Sequence, residues 1–236
     1  MKIGVFSDIH GNIYSFAKAL YLMEQLNIEE FFMCGDICGY YYYHNEVINL
    51  LKSINRLHCV IGNHDKMFLD IIDGKTEYEY YKNKYGSSII KFQENITREN
   101  LDFLRNLKTD YDCQIDSITT IRMYHGNPWD HLNGYVYPDI DLTKYNEIDA
   151  DYIFQGHTHY RMIKSINNLT IINPGSIGQP RDGRPACFAV LDTEEKEVEF
   201  VSVNYNIGQL IKDIDELQGE PSYLINVLRR SNNNDK

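Results

Sequence analysis

Apolar and polar positions in the first half of the chain alternate between two rhythms. Short apolar runs at residues 3–6, 31–33 and 59–61 have the length and side chains of strands. Between them, residues 12–26 place Ile13, Phe16, Ala17, Leu20 and Met23 on one face, and residues 45–54 do the same with Val47, Ile48, Leu51 and Ile54. This pattern predicts β-α-β units. The Tyr- and Lys-rich stretch 76–85 also reads as helical, residues 101–107 form a further helix, and another is expected within 139–148. From Tyr111 onward strands dominate, at 112–115, 119–124, 152–155, 162–166, 170–172, 186–191 and 198–204. Residues 208–217 and 222–230 read as closing helices. Two stacked sheets flanked by helices accommodate both halves. The chain has 236 residues and no linker, repeat or low-complexity tract, so one domain over 1–236 is expected, with the polar segment 231–236 as a flexible tail.

Five short polar blocks follow five of the apolar runs: Asp8-Ile9-His10, Gly35-Asp36, Gly62-Asn63-His64-Asp65, His125-Gly126 and Gly156-His157-Thr158-His159. Loops leaving the carboxyl ends of strands in an α/β sheet converge on one crevice, so these blocks can meet although they span most of the chain. In extended backbone, residues i and i+2 point the same way, so Asp8 with His10, and His157 with His159, can each present a pair of ligands. The adjacent glycines permit sharp turns and close backbone approach. Carboxylate, imidazole and amide donors without thiolate suit divalent manganese, iron, zinc, nickel or cobalt.

The blocks, in this order, resemble the calcineurin-like metallophosphoesterase superfamily, whose pattern is D-x-H, G-D, G-N-H-D/E, H and G-H-x-H. The stretch Asn173-Pro174-Gly175-Ser176-Ile177-Gly178-Gln179-Pro180-Arg181 is similar to its small bacterial and archaeal phosphodiesterase branch. The resemblance runs from Ile3 to about Asp192 and implies a four-layer α/β/β/α sandwich of two mixed β-sheets flanked by helices. It implies two divalent metal ions per chain, one held by Asp8, His10, Asp36 and His159 and the other by Asp36, Asn63, His125 and His157. His64 would stay unligated and face the substrate. The chain departs from the serine/threonine protein phosphatases, which continue the second block as G-D-x-x-D-R-G where this sequence has Gly35-Asp36-Ile37-Cys38-Gly39-Tyr40.

Two such ions, about 3.5 to 4 Å apart, can hold a bridging hydroxide as the nucleophile for in-line attack on a small phosphate ester. Asn63 can ligate through its amide oxygen and donate to the phosphate through its NH2. His64 is placed to act as the general acid toward the departing alkoxide. Asp65 either orients that ring or caps the following helix. Arg181, in a Gly- and Pro-rich loop, either forks onto the phosphate or is a solvent-exposed cation, and Ser176 is a candidate donor nearby. The run Tyr40-Tyr41-Tyr42-Tyr43 either forms a stacking wall or packs on a neighbouring helix, and Trp129 and His131 are candidates for the cleft rim.

Net charge is -11, which disfavours general nucleic-acid binding or attachment to an anionic membrane. No apolar stretch has the length of a signal or membrane span, so a cytoplasmic protein, monomeric or a small homo-oligomer, is expected. Of the five cysteines, Cys34, Cys59 and Cys187 read as reduced packing residues, and a zinc or redox pair of Cys34 and Cys38 lacks a second pair to complete it. Two other functions fit the fold. A dinucleoside polyphosphate or nucleotide pyrophosphohydrolase needs more cations than Arg181 and Arg184 supply. A non-catalytic scaffold, as in the retromer subunit that resembles this family, lacks the counterpart of His64.

Overall fold

The computed structural model describes residues 1–115, 118–217 and 220–232. Its first half alternates strand and helix: β1 (Lys2–Phe6), α1 (Ile13–Gln25), β2 (Glu30–Met33), α2 (His44–Ser53), β3 (Leu57–Cys59) and α3 (Asn63–Ile72). Three helices follow, α4 (Tyr78–Tyr85), α5 (Ser88–Asn95) and α6 (Arg98–Asn106). The second half carries β4 (Asp110–Ile115), β5 (Thr119–Tyr124), β6 (Tyr152–Phe154), β7 (Arg161–Ile166), β8 (Leu169–Pro174), β9 (Ala186–Asp192) and β10 (Glu197–Val203), then α7 (Gly208–Glu216) and α8 (Tyr223–Asn232).

These strands form two mixed five-stranded sheets, ordered β10-β9-β1-β2-β3 and β4-β5-β6-β8-β7. Strands β1, β2 and β3 run parallel, as do β5, β6 and β8. Parallel strands send their carboxyl ends to the same edge, which is where the five polar blocks begin. The side-chain alternation of each strand fixes the layers. Ile3 and Val5 of β1, Phe32 of β2, and Ala189 and Leu191 of β9 meet Ile121, Met123, Tyr152 and Phe154 between the sheets. On the other face of the first sheet, Phe6, Met33, Phe188 and Val190 pack against Phe16, Met23, Val47, Leu51, Phe68 and Phe92 from the helices. Ile153 and Ile171 turn outward from the second sheet toward Val136 and Tyr145.

Several boundaries differ from the sequence reading. The third strand is Leu57–Cys59 rather than 59–61, because β2 pairs with Leu57, His58 and Cys59, and Val60 makes only an isolated bridge to Lys108. Within 139–148 the chain forms a 3-10 helix, Thr143–Glu147, and no α-helix. There Asp141 accepts from the Thr143 backbone N–H at 3.0 Å and its hydroxyl at 2.6 Å, a local turn that competes with helical bonding. Helix α5 was not foreseen. Ser231, the first residue of the expected tail, is buried and donates to the Pro180 carbonyl at 3.1 Å; residues 233–236 lie outside the described residues. Among the described residues, no helix is long and apolar enough to cross a membrane.

Candidate metal centre

The strand-end blocks meet in one buried cluster. Asp8, His10, Asp36 and His159 bring potential ligand atoms within 4.8 Å of one another, and Asp36, His125 and His157 do the same. Asp36 is common to both groups. Its Oδ2 lies 3.6 Å from His10 Nε2 and 3.4 Å from His125 Nε2, while its Oδ1 accepts from the His64 backbone N–H at 2.8 Å. Asp8 Oδ1 lies 3.2 Å from His159 Nε2, and its Oδ2 accepts from the His157 backbone N–H at 3.1 Å. Asn63 turns its amide oxygen to within 3.0 Å of His125 Nε2, which in turn is 3.1 Å from His157 Nδ1.

Backbone carbonyls set the orientation of three rings. His10 Nδ1 meets the Cys38 carbonyl at 2.7 Å, His125 Nδ1 meets that of Cys34 at 2.7 Å, and His159 Nδ1 meets that of Gln179 at 2.5 Å. Each contact fixes the N–H on Nδ1 and leaves Nε2 facing the cluster as a lone-pair donor. Cys34 and Cys38 therefore serve the site through their carbonyls. All five cysteines are free thiols, and burial holds those of Cys34 and Cys38 well above the usual thiol range.

The backbone at this edge is bent into a sparsely populated region. Asp8, His10, Asp36, Tyr40, His157 and His159 all have positive φ, between 50° and 68°. Asp and His tolerate the left-handed conformation better than most residues, yet six together mark a stretch whose strain the surrounding fold holds in place. Two glycines allow the close packing behind it. A Cβ at Gly62 would lie 2.1 Å from Asp36 N, and one at Gly156 would lie 2.0 Å from Ser7 Oγ. Asp65 accepts from the backbone N–H groups of Asp36, Cys38 and Gly62 at 3.0, 2.7 and 2.9 Å. It pins the Asp36 loop to the start of α3. Of its two expected roles, it fills the capping one.

The electrostatics suit cation binding. Burial raises the Asp8 carboxyl, but His159 and His125 draw it down to about 2, and Asp36 is likewise lowered, against burial, by His125 and His64. Burial and its histidine neighbours hold His10 well below the usual imidazole range and His157 at about 4, so both are neutral donors. Burial disfavours the charged form of His125, but Asp36, Asp8 and the Cys34 carbonyl together lift this ring to about 9. A proton is thus retained where a cation belongs. Asp8 Oδ1 and His157 Nε2 are buried without a hydrogen-bond partner. Unpaired buried acceptors are costly, and a divalent ion satisfies such a donor set.

His64 is buried beside this cluster, with its Nδ1 2.8 Å from the Tyr81 hydroxyl. Burial, opposed by Asp36 and reinforced by Arg181, holds it at about 4. Arg181 is mostly buried rather than solvent-exposed. Its guanidinium donates to the Tyr40 hydroxyl at 2.7 Å and to Gln179 Oε1 at 3.1 Å, and it has no carboxylate partner among the described residues. Ser176 donates to the Asp8 carbonyl at 2.7 Å and so supports the first loop from behind. Above the cluster a cavity of about 290 Å³ is lined by Asp36, Asn63, His64, His157, His159, Arg181, Tyr40, Lys84, Tyr85, Tyr135 and Tyr223.

Of the tyrosine run, only Tyr40 reaches this cavity; Tyr41 is buried against Leu210, Leu224 and Leu228, where the closing helices pack. Trp129 packs edge-on against Tyr145 at 4.9 Å and His131 against Tyr124 at 4.7 Å, and neither lines the cavity. Arg184 does not line it either. Tyr81, Lys84, Tyr85, Tyr135 and Tyr223 escaped the sequence reading, since each is a single residue outside any motif. The one available signal was the tyrosine density of 76–85, which reads first as helix.

Two mixed sheets with a carboxylate and histidine cluster at their shared strand ends define a phosphoesterase fold. Residues 1–196 match the calcineurin-like phosphoesterase superfamily domain, and the chain belongs to that family. It is 34% identical over 234 residues to an uncharacterized protein of Methanocaldococcus jannaschii, a match covering 90% of this chain and 91% of that one. A phosphodiesterase of the same archaeon is 26% identical over 200 residues, covering 84% of this chain and 96% of its own. A solved metallophosphoesterase from Sphaerobacter thermophilus superposes with a TM-score of 0.76 at 25% identity, over 98% of each chain. The chain is a hydrolase of phosphoric esters with buried metal-binding residues.

Proposed function

We propose that this hydrolase is a binuclear metal-dependent phosphodiesterase or phosphatase of small phosphate esters. Asp8, His10, Asp36 and His159 would hold one divalent ion, and Asp36, Asn63, His125 and His157 the other. The observation that carries this reading is the position of Asp36 Oδ2, between His10 Nε2 at 3.6 Å and His125 Nε2 at 3.4 Å and shared by both ligand groups. Bound there, the ions would polarise the phosphoryl group and lower the pKa of the attacking water. The likeness to a phosphodiesterase over most of the chain supports a diester substrate.

The chain's own groups divide the remaining work. Arg181, charged and without a carboxylate partner, holds a nonbridging phosphate oxygen. Asn63 keeps its NH2 free to donate to another oxygen once its amide oxygen is engaged. His64, once protonated beside the bound phosphate anion, would pass a proton from Nε2 to the departing oxygen, and Tyr81 fixes the ring by holding Nδ1. The retained His64 and the complete ligand groups favour catalysis over a scaffold. With Arg181 and Lys84 as the two cations lining the cavity, a polyphosphate substrate is the weaker reading.

The test is hydrolysis of bis-p-nitrophenyl phosphate and p-nitrophenyl phosphate by metal-stripped protein after addition of manganese, nickel, cobalt or zinc, with His64→Ala alongside. Turnover that requires both metal and His64 is expected, with the diester preferred. Metal binding without turnover of either ester would sink the reading.

A further inference from the structure

The walls of the cavity differ in chemistry from its floor. The floor is the ligand cluster with His64 and Arg181; the walls are Tyr40, Tyr85, Tyr135, Tyr223 and Lys84. No aliphatic and no acidic side chain stands among these five. Tyr85 lies edge-on to His64 at 4.7 Å and to Tyr40 at 5.7 Å, and Tyr40 is 6.2 Å from Tyr223. Tyr135 lies against His157, ring centroids 4.1 Å apart, runs parallel to Tyr137 at an offset of 5.8 Å, and stays 54% exposed. Ring faces of this kind receive flat π-systems with little regard to sequence or substituent, because every nucleobase has such a face.

Depth decides which flat group fits. His64, His157 and His159 on the floor are at most 6% exposed, whereas Tyr135 and Lys84 stand at the mouth. A ring attached directly to the ester oxygen, as in an aryl phosphate, would sit on the floor beside the phosphorus. A base carried on a sugar reaches the mouth. Apolar chains have no aliphatic wall to lie against, and Lys84 makes no ion pair among the described residues, so the mouth suits a polar, anionic ligand.

Resting on the phosphoesterase reading of the floor, we propose that the site selects nucleoside phosphate esters, with the base stacked on Tyr135 at the mouth and the scissile phosphate held below. Tyr85 and Tyr223 line the same cavity, and Lys84 lies over the Tyr85 ring at 5.0 Å.

The experiment compares two diesters that share one leaving group: methyl p-nitrophenyl phosphate and thymidine 5′-(p-nitrophenyl phosphate), with the manganese-loaded full chain. The nucleoside ester is expected to have kcat/KM higher by about tenfold or more, mainly through KM, as one stacked base allows. In Tyr135→Leu that ratio should fall toward one. Adenosine 5′-monophosphate should also inhibit the native enzyme at least about tenfold more tightly than ribose 5-phosphate or O-phosphotyrosine. Equal kcat/KM for the two diesters, a preference that Tyr135→Leu leaves intact, or equal inhibition by the three monoesters would overturn the proposal while leaving the phosphoesterase reading in place. Failure to hydrolyse either diester or p-nitrophenyl phosphate would overturn both.

Discussion

The hydroxyl of Tyr81 lies 2.8 Å from Nδ1 of His64, and both side chains are buried. The group holding His64 comes from α4, outside every motif block. If Tyr81 positions the general acid, Tyr81→Phe lowers kcat by about tenfold for esters with poor leaving groups and changes KM little. Steady-state kinetics across p-nitrophenyl and alkyl diesters checks this. Equal losses for good and poor leaving groups would assign Tyr81 a packing role only.

Gly62 is required by the approach of two loops. A Cβ there would lie 2.1 Å from both Asp36 N and Asp36 Oδ1, so Gly62→Ala must displace the shared carboxylate. A loss of about 2 kcal/mol in stability is expected, with weaker metal retention. Urea denaturation together with metal analysis reads both effects.

Arg181 combines burial with the lack of a carboxylate partner, an arrangement that favours ligand binding over folding. Arg181→Met is therefore expected to raise stability by about 1 kcal/mol while raising KM about tenfold. Loss of stability with an unchanged KM would show that the guanidinium serves only its contacts to Tyr40 and Gln179.

Much of the ligand cluster could be read in the sequence because its residues follow strands. Apolar runs ending in Asp8, Asp36, His125 and His157 disclose both the sheet and its functional edge. What escaped was set by tertiary packing. Helix α5 lies in a polar stretch whose apolar positions, Ile89 and Phe92, declare themselves only against Phe68 and His44. Tyr135 and Tyr223 reach the cavity from loops and helices far from any block. The burial of Arg181 depends on Tyr40, which is 141 residues away. Asp65 allowed two roles in sequence, and only the converging Asp36 and Cys38 amides decide between them.

The central claim is that one carboxylate, Asp36, serves two metal positions. The most direct measurement is the manganese content per chain of native protein and Asp36→Asn after equilibrium dialysis. Two ions in the native chain and fewer than one in the variant are expected, because substitution removes the charge common to both ligand groups. Retention of two ions by Asp36→Asn would contradict the shared site.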